Sequence, residues 1–298
     1  MTEAAEAEAR PARRRAPVVT VASWLVVGGF AVWALVRVFG LEGGYPFAQL
    51  VSFTPYVAGA AVLVPPVALL LRRWPALRVM SANLLEGGAD PAALVALVRD
   101  QRVDLLALQE FTPEAERALD GAGLAALLPQ RVSDPQPGVA GSALYSRFPL
   151  HNDGIRLNTL DFQQARGTVS VPGAAPLEVE SVHTCSPYSA ANTRCWQRSF
   201  RNEPPATVDG QVRLLIGDFN ATLDHTVLRD LIATGYRDAG DVAGEGLSAT
   251  WPYDKLFPRI TIDHVLADRR IGVRRFAVHP VPRTDHRSVF AELVLPPG

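Results

Sequence analysis

The chain has 298 residues, of which 48% are hydrophobic, and its formal net charge of −1 excludes a generally basic nucleic-acid binder. This length is sufficient for one sizeable globular domain and a smaller additional part. The two cysteines, Cys185 and Cys195, are too few for a disulfide framework; they either close one short loop or remain two buried thiols.

Two uncharged, apolar runs follow a polar N-terminus that is rich in arginine. The first, VVTVASWLVVGGFAVWALV, covers residues 18–36, and the second, FAQLVSFTPYVAGAAVLVPPVALLL, covers residues 47–71. Each reaches the roughly 20 residues that a helix needs to cross a bilayer. We therefore predict a cytoplasmic basic tail at residues 1–16 and two transmembrane helices within residues 17–73. A cleaved signal peptide is less favoured, because no clear cleavage site is present and a second apolar run follows.

The predicted location is the cell membrane, and two features disagree about the side on which the rest of the chain lies. Arginines at residues 13–15 precede the first run, Arg72 and Arg73 follow the second, and the loop FGLEGGYP between the runs has no basic residue. Because basic loops stay inside, this pattern places both termini in the cytoplasm. The cysteine pair favours the exterior, because disulfides persist in oxidising compartments.

The remainder, from about residue 77, alternates strand and helix patterns before becoming rich in strands. ALRVMSANLL and VDLLALQE are predicted strands, and DPAALVALVRDQR is a predicted helix with Asp90 as N-cap and Pro91 at its first position. Seven shorter strand candidates follow, which predicts mixed sheets: GSALYSRF, ARGTVSVP, LEVESVHT, VRLLIGDFN, TIDHVLAD, VRRFAVHPV and SVFAELVL. Residues 1–73 contain seven of the 29 basic and four of the 30 acidic residues, so the remainder has a net charge of −4. This balance disfavours an enzyme that grips a long duplex.

Polar side chains recur where the apolar strand patterns end. Taken singly, such an Asn is usually a turn residue, a Glu is usually solvated, and a His is usually satisfied structurally; we interpret His151, His225 and His279 in that way. The recurrence favours a site, because strand ends bring side chains together on rigid elements. The candidates are Asn83, Glu110, His183, Asp218, Asn220, Asp263, Asp285 and His286.

The stretch LLIGDFNAT presents an acid and an amide two positions apart. Residues i and i+2 of a strand point to the same face, so we expect Asp218 and Asn220 to face one way while Phe219 packs into the opposite layer. Gly217 has no Cβ and permits close approach of another backbone or a ligand. The acid could hold a metal ion or a water, and the amide could donate to an anionic oxygen.

In chain order, the segments VMSANLL, LLALQE, SVHT, LLIGDFN, TIDHVL and TDHRSVF resemble the endonuclease/exonuclease/phosphatase superfamily over about residues 77–298. The resemblance implies an α/β (α+β) catalytic domain: a four-layer sandwich of two packed mixed β-sheets flanked by helices. It also implies a hydrolase of phosphoester bonds that uses Mg2+, with Mn2+ as an alternative. This activity requires charge neutralisation at the phosphate and a water in line with the leaving oxygen.

The resemblance also implies roles for individual residues. Glu110 corresponds to the principal magnesium ligand and Asn83 to its neighbour in the metal site. Asp218 corresponds to the residue that aligns or deprotonates the attacking water, and Asn220 to a ligand of the phosphate. His183 corresponds to a residue that faces the phosphate.

The remaining roles concern the last part of the chain. Asp263 resembles an acid near the metal or the leaving group, and His286, oriented by Asp285, resembles the closing Asp-His dyad. Relatives often carry an acid or amide where this chain has Leu85, which favours one magnesium over two.

The substrate-proximal candidates are weaker. Trp251 lies in a segment, SATWP, that recurs near the site in relatives, although packing is an equal explanation. Arg166 could approach a phosphate, although a solvated strand edge is the favoured interpretation. A Cys185–Cys195 bridge could shape the segment after His183, which contacts substrate in relatives.

Together, these features predict a membrane-anchored, magnesium-dependent phosphoester hydrolase whose substrate is a lipid head group, a small phosphoester or nucleic acid. No protein partner is indicated. The alternatives are a membrane-tethered binding protein that has the same fold without the chemistry, and a dedicated DNA endonuclease.

Overall fold

The computed structural model describes residues 16–41, 43–71, 75–253, 255 and 258–298. The chain divides into two compact units, residues 1–73 and residues 74–298. The predicted N-terminal tail lies outside the described residues except for Ala16.

The first unit contains helices and no strand among its described residues. Helix α1 spans Ala16–Val38, α2 spans Phe47–Leu50, a 3-10 turn spans Val51–Phe53, and α3 spans Thr54–Leu71. The second apolar run is thus divided among three helical segments. Within the described part of the chain, no helix is both long enough and apolar enough to cross a membrane. The prediction of two transmembrane helices is therefore not supported.

The second unit contains two six-stranded mixed sheets. The strands are β1 (Ala76–Asn83), β2 (Leu105–Gln109), β3 (Gln130–Asp134), β4 (Ser142–Ser146), β5 (Leu150–Leu157), β6 (Gln163–Val169), β7 (Leu177–His183), β8 (Val212–Asp218), β9 (Tyr236–Asp238), β10 (Asp263–Asp268), β11 (Gly272–Pro280) and β12 (Arg287–Val294). The helices are α4 (Pro91–Asp100), α5 (Pro113–Gly121), α6 (Leu124–Leu127), α7 (Ala190–Asn202), α8 (Thr226–Ala233) and α9 (Ala239–Val242).

The strand orders are β11-β12-β1-β2-β4-β3 in the first sheet and β5-β6-β7-β8-β10-β9 in the second. Each sheet contains one parallel pair, β1 with β2 and β7 with β8, and its other pairs are antiparallel. The prediction of mixed sheets is therefore confirmed.

Three apolar clusters arrange these elements in four layers. Because side chains alternate across a strand, Val79 of β1 packs between the two sheets while Met80 packs outward beneath α4–α6. In the second sheet, Leu214 of β8 packs inward and Leu215 packs outward beneath α7 and α8. The sandwich of two sheets between helices confirms the predicted fold class.

Helix α4 begins where the sequence predicts. Asp90 is its N-cap, and the Asp90 side chain accepts a hydrogen bond of 2.9 Å from the amide of Ala93. Pro91 occupies the first helical position, where its missing N–H is not needed.

Gly217 fixes the spacing between the two parallel strands that lead into the candidate site. Its φ is +156°, and a Cβ at this position would lie 2.0 Å from the carbonyl oxygen of Val182. The predicted close approach is thus to the backbone of β7. The next pair along these strands is His183 and Asp218, so this approach brings two candidate residues side by side.

A buried charge cluster supports the end of β7. Arg156 lies 2.6 Å from Glu180 and 2.6 Å from Glu203. The side chain of Gln164 donates to Glu203 at 3.0 Å and to the carbonyl of His183 at 3.3 Å. The cluster therefore connects the interior of the second sheet to a candidate site residue.

The stability of the protein should depend on pH through this cluster. Burial and the neighbouring Glu203 raise the pKa of Glu180 from 4.5 to about 8, against the attraction of Arg156. The folded state then keeps a proton that the unfolded state releases, so stability falls as the pH rises from 4.5 to about 8. We expect the Tm of Glu180→Gln to rise relative to wild type across this range in thermal melts. A constant difference would contradict the raised pKa.

Candidate active site

The polar residues that the sequence singles out meet at one edge of the sandwich. The parallel strands β1 and β2 of the first sheet and β7 and β8 of the second end there, beside the start of β10 and the segment before β12. The structure brings together Asn83, Glu110, His183, Asp218, Asn220, Asp263, Asp285 and His286.

Asn83, the last residue of β1, joins carboxylates from the two sheets. Its side-chain nitrogen donates to Glu110 at 3.0 Å and to Asp218 at 3.1 Å, while its Oδ1 accepts from the amide of Leu85 at 2.9 Å. The Leu85 amide fixes this orientation, because a flipped side chain would place the Asn83 amide nitrogen, a donor, against the Leu85 N–H, which is also a donor. The oxygen of Asn83 is therefore engaged by the Leu85 amide, and the predicted role of Asn83 in the metal site stays a prediction. Asn83 also holds the two carboxylates together.

Glu110 follows β2 in a left-handed backbone conformation, with φ of +55°. Its Oε2 accepts a hydrogen bond of 2.7 Å from the amide of Glu86, which is itself left-handed with φ of +50°. Such conformations cost on the order of 1 kcal/mol or more for these residues and concentrate at functional sites. Burial raises the pKa of Glu110, and the Glu86 amide and Asn83 oppose that rise.

Asp218 and Asn220 are arranged differently from the strand-based prediction. Strand β8 ends at Asp218, and Asn220 has a left-handed φ of +48°, so the two-residue strand period does not extend to it. The amide of Asn220 donates to Asp218 at 2.8 Å, and its side chain donates to the carbonyl of Thr184 at 3.0 Å. Both residues still line one cleft, and Phe219 is fully buried in the outer apolar layer as predicted.

His286 pairs with Asp263 rather than with its sequence neighbour. Its Nδ1 lies 3.0 and 3.2 Å from the two carboxylate oxygens of Asp263, whereas its Nε2 lies 3.9 Å from Asp285. The prediction that Asp285 orients this histidine is therefore wrong. The antiparallel pairing of β10 with β8 places Asp263 opposite Asp218, within reach of the ring.

The charge of His286 follows from this pairing. Burial disfavours the cation, but Asp263 and Asp218 outweigh that effect and raise the pKa of His286 to about 10. At neutral pH the ring is therefore cationic, with both nitrogens acting as donors. Its Nε2 lies 3.8 Å from Asp218.

Asp218 has a pKa suited to proton transfer near neutrality. Burial and the nearby Asp263 raise the pKa of Asp218 to about 6, against the attraction of His286 and His183. A general base works best when its pKa lies near the operating pH.

His183 lines the same cleft as His286, and the Nε2 atom of each ring lies 3.8 Å from Asp218 Oδ2. The Nε2 of His183 is also 4.0 Å from Glu110, and the His183 ring packs edge-on against Phe162 with centroids 4.6 Å apart. Burial lowers the pKa of His183, so the neutral ring is favoured. Its Nδ1 is buried without a hydrogen-bond partner among the described residues.

Asp285 is held by Trp251. The Trp251 Nε1 donates to Asp285 Oδ2 at 2.8 Å, whereas Asp285 Oδ1 is buried without a hydrogen-bond partner among the described residues. An unpaired buried carboxylate oxygen is costly unless a cation or a donor satisfies it. Both residues line the cleft, and the substrate-proximal role of Trp251 stays a prediction.

The weaker substrate-proximal candidates differ in whether they line the cleft. Arg166 does not line the cleft; it borders a separate cavity with Asp153 and Glu180, and it donates to the carbonyl of Asp153 at 2.9 Å. Cys185 and Cys195 are joined by a disulfide with a Cα–Cα separation of 5.9 Å, and Cys185 lines the cleft.

Three contributors to the site escape the sequence pattern. Phe162 and Tyr188 line the cleft from loops, where no periodic pattern identifies them. Thr284 donates from its side chain to the carbonyl of Asn83 at 3.0 Å, which ties the segment before β12 to the end of β1. The only signal for Thr284 is its position in the TDH segment.

The donor set fits a divalent cation. Glu110, Asp218, Asp263 and Asp285 bring four carboxyl groups together with the cationic His286, which leaves a negative centre that a metal ion would neutralise. Ligand atoms of Asp218, Asp263 and His286 lie within 4.8 Å of one another. Because His286 is cationic, we favour Glu110 and the unpaired Oδ1 of Asp285 as the oxygens available to the ion. These oxygen donors are typical of Mg2+ and Mn2+ sites.

Residues 80–286 match the model of the Endonuclease/Exonuclease/phosphatase family. The chain belongs to this family. Members of the family depend on divalent metals, and this member is a hydrolase that acts on phosphoester bonds. The interpretation as a binding protein without chemistry is therefore not retained. No curated protein matches the chain.

Solved structures show the same fold at low sequence identity. An endonuclease/exonuclease/phosphatase from Beutenbergia cavernae DSM 12333 is 20% identical, with a TM-score of 0.59 over 74% of this chain and 72% of that chain. A protein of the same description from Bacteroides vulgatus is 14% identical, with a TM-score of 0.57 over 74% and 99%. TDP2 of D. rerio, complexed with a single-strand DNA product, is 15% identical, with a TM-score of 0.53 over 73% and 98%.

Proposed function

We propose that this family member is a magnesium-dependent phosphodiesterase in which Asp218 activates water and a cationic His286, held by Asp263, binds the phosphate. The observation that carries the proposal is the convergence of these three residues with Glu110 on one cleft. Hydrolysis of a phosphodiester requires a cation at the phosphate, a base beside the attacking water and a donor to the developing charge. In this proposal they are the metal ion at Glu110, the Asp218 carboxylate and the His286 ring.

Glu110 and Asp285, which both line the cleft, would hold one Mg2+. A bound Mg2+ would supply charge neutralisation at the phosphate oxygens. Asn83 would position Glu110, because its amide nitrogen donates a hydrogen bond to that carboxylate.

Asp218 would accept the proton of the attacking water. The new bond from the water oxygen to phosphorus forms as the bond to the leaving oxygen breaks, and the leaving oxygen then takes a proton from solvent. The hydrogen bonds that Asp218 accepts from Asn83 and the Asn220 amide fix its carboxylate plane. A base fixed in this way accepts the proton without first reorienting.

Asn220 and His286 would bind the phosphate. The Asn220 side chain uses one N–H on the carbonyl of Thr184, and its second N–H is available to a phosphate oxygen. His286 uses Nδ1 on Asp263, and its Nε2–H is available to another oxygen. His183, which lines the same cleft with a neutral ring, would also contact the phosphate.

Activity should depend on a divalent metal. We expect the full chain with Mg2+ to hydrolyse at least one of bis-p-nitrophenyl phosphate, plasmid DNA and sphingomyelin, with activity lost in EDTA and restored by excess Mg2+ or Mn2+. Plasmid DNA tests the nuclease alternative, which the TDP2 structure with its DNA product keeps under consideration. The absence of metal-dependent turnover on all three would overturn the proposal.

A charge-removing variant tests the metal ligand. Glu110→Gln should raise the Mg2+ concentration for half-maximal activity by at least about tenfold, because changes around metal ligands cost roughly 10- to 100-fold in affinity. Glu114→Gln, which alters an exposed glutamate of α5, is the matched control and should leave the Mg2+ dependence unchanged.

The location of the catalytic unit stays a prediction. The arginine pattern favours the cytoplasm, and the bridged cysteines favour an oxidising exterior. Labelling of Cys185 and Cys195 on intact cells with an impermeant thiol reagent, before and after reduction, distinguishes the two. Labelling of intact cells after reduction would support the exterior location. Because both cysteines are buried, labelling that appears only after the cells are lysed and the protein is reduced and unfolded would support the cytoplasmic one.

A further inference from the structure

The cleft that holds the candidate site extends well beyond the carboxylates. Its volume is about 820 Å³, within the range of small-molecule sites. Besides polar residues such as Asn192 and His225, its lining includes several apolar and aromatic side chains. The side chains that matter here are Leu85, Leu160, Phe162, Tyr188, Trp251 and Ile260.

Several of these side chains are unusually exposed for their type. Tyr188 is 80% exposed and Leu160 is 66% exposed, and Leu85 and Ile260 are each more than 40% exposed. Exposed apolar side chains that adjoin a polar site are typical of binding surfaces. They are continuous with the proposed phosphate site, because all of them line the same cleft.

Backbone strain gives a second indication. Leu85 and Leu160 adopt left-handed conformations, with φ of +50° and +56°. Glycine or asparagine would occupy such positions at lower cost, since a bulky side chain is disfavoured there. Leucine at two strained positions that line one cleft indicates that the apolar side chain is needed there.

The charges of the described residues that line the cleft disfavour a ligand with several successive phosphates. None of the described residues that line it is an arginine or a lysine, and its acidic residues include Glu110, Asp218 and Asp285. A polyanionic strand requires a row of basic side chains along its phosphates. This lining is unsuited to successive phosphates and suited to a single one.

From these observations we propose that the substrate carries one phosphate esterified to an uncharged, apolar group that binds between Leu160 and Tyr188. This inference rests on the proposed phosphodiesterase function and specifies its substrate class. The apolar group could be an aliphatic chain, as in a lipid, or an aromatic ring; both share the chemistry that this rim recognises.

A substrate series with a constant leaving group tests the proposal. The full chain with Mg2+ would be assayed on 4-nitrophenyl phosphodiesters whose second ester group is methyl, octyl, phenyl or an oligonucleotide. We expect kcat/KM for the octyl or phenyl ester to exceed that for the methyl ester by about tenfold or more, because the larger groups bury apolar surface. The octyl and phenyl arms distinguish an aliphatic from an aromatic group.

Two rim variants locate the effect. Leu160→Asn suits the left-handed backbone and removes the apolar contact, and Tyr188→Ser removes the exposed ring. In both, the ratio of kcat/KM for the preferred ester to that for the methyl ester should fall toward one. Leu247→Asn, at a residue that is 96% exposed and outside the cleft lining, is the control and should keep the wild-type ratio.

The outcomes separate the two proposals. Equal values for the methyl, octyl and phenyl esters, or the highest value for the oligonucleotide ester, would overturn the substrate class and leave the phosphodiesterase standing. A wild-type preference that survives in both rim variants would overturn the assigned rim. Failure to hydrolyse any ester with Mg2+ would overturn the proposed function, and this inference with it.

Discussion

Asp218→Asn should lower kcat of the full chain by a factor on the order of 10² to 10⁴, the usual contribution of a positioned base. The substitution keeps the shape of the side chain and removes its capacity to take a proton near pH 6, where its pKa lies. The activity would be measured with Mg2+ on the best phosphodiester, and the pH profile of kcat/KM would be measured beside it.

The pH profile separates a base from a merely structural residue. In wild type, the acidic limb should report a group with a pKa near that of Asp218, and this limb should be absent from the residual activity of Asp218→Asn. Asp230→Asn, on an exposed position of α8, is the matched control. A residual activity with the wild-type acidic limb would assign the base elsewhere.

His286→Gln and Asp263→Asn should each lower kcat by a factor on the order of 10² or more, and the double variant should be little worse than either single one. Residues that act as a unit give non-additive losses. The Asp263 carboxylate lies 3.0 Å from the His286 ring and stabilises its protonated form. Removing that negative charge should therefore lower the pKa of His286.

The ring's own titration distinguishes the two possible partners. Histidine resonances of the metal-free protein, assigned by comparison with His286→Gln, should show the pKa of His286 falling from about 10 in Asp263→Asn. Asp285→Asn should change it less, since Asp285 contributes less to that pKa than Asp263 does. A larger fall of the His286 pKa in Asp285→Asn than in Asp263→Asn would show that Asp285, and not Asp263, is the partner of His286.

The pairing error illustrates what a sequence pattern can and cannot predict. Asp285 adjoins His286 in the chain, and this adjacency is the basis on which the sequence predicts their pairing. Asp263 lies 23 residues away in sequence and reaches the ring because β10 pairs with β8. Motifs therefore predict which residues converge, whereas their hydrogen-bond partners depend on strand register.

The same reasoning explains Asn83 and Asn220. Strand patterning predicted that both would lie at the site, and they do. Their orientations depend on backbone turns that follow the strands: the Leu85 amide engages the Asn83 oxygen, and the left-handed Asn220 leaves the strand. Turn conformations of this kind have no apolar periodicity and so were not predicted.

The strands that were not predicted share one property. β3, β5 and β9 each lie at an edge of their sheet. Edge strands are partly solvated and carry polar residues, so their apolar pattern is weak. Interior strands such as β2, whose five residues are all buried, are the ones that hydrophobic runs predict reliably.

Strand β12 has a consequence for how the enzyme is made. In the first sheet it lies between β11 and β1, so the last strand pairs directly with the first. His286 immediately precedes it, and Thr284 bonds to the carbonyl of Asn83, 201 residues earlier. Contacts of such sequence separation carry a large loop-closure cost and form slowly in folding. The polar cluster is therefore assembled only after β12 has been synthesised and has paired with β1.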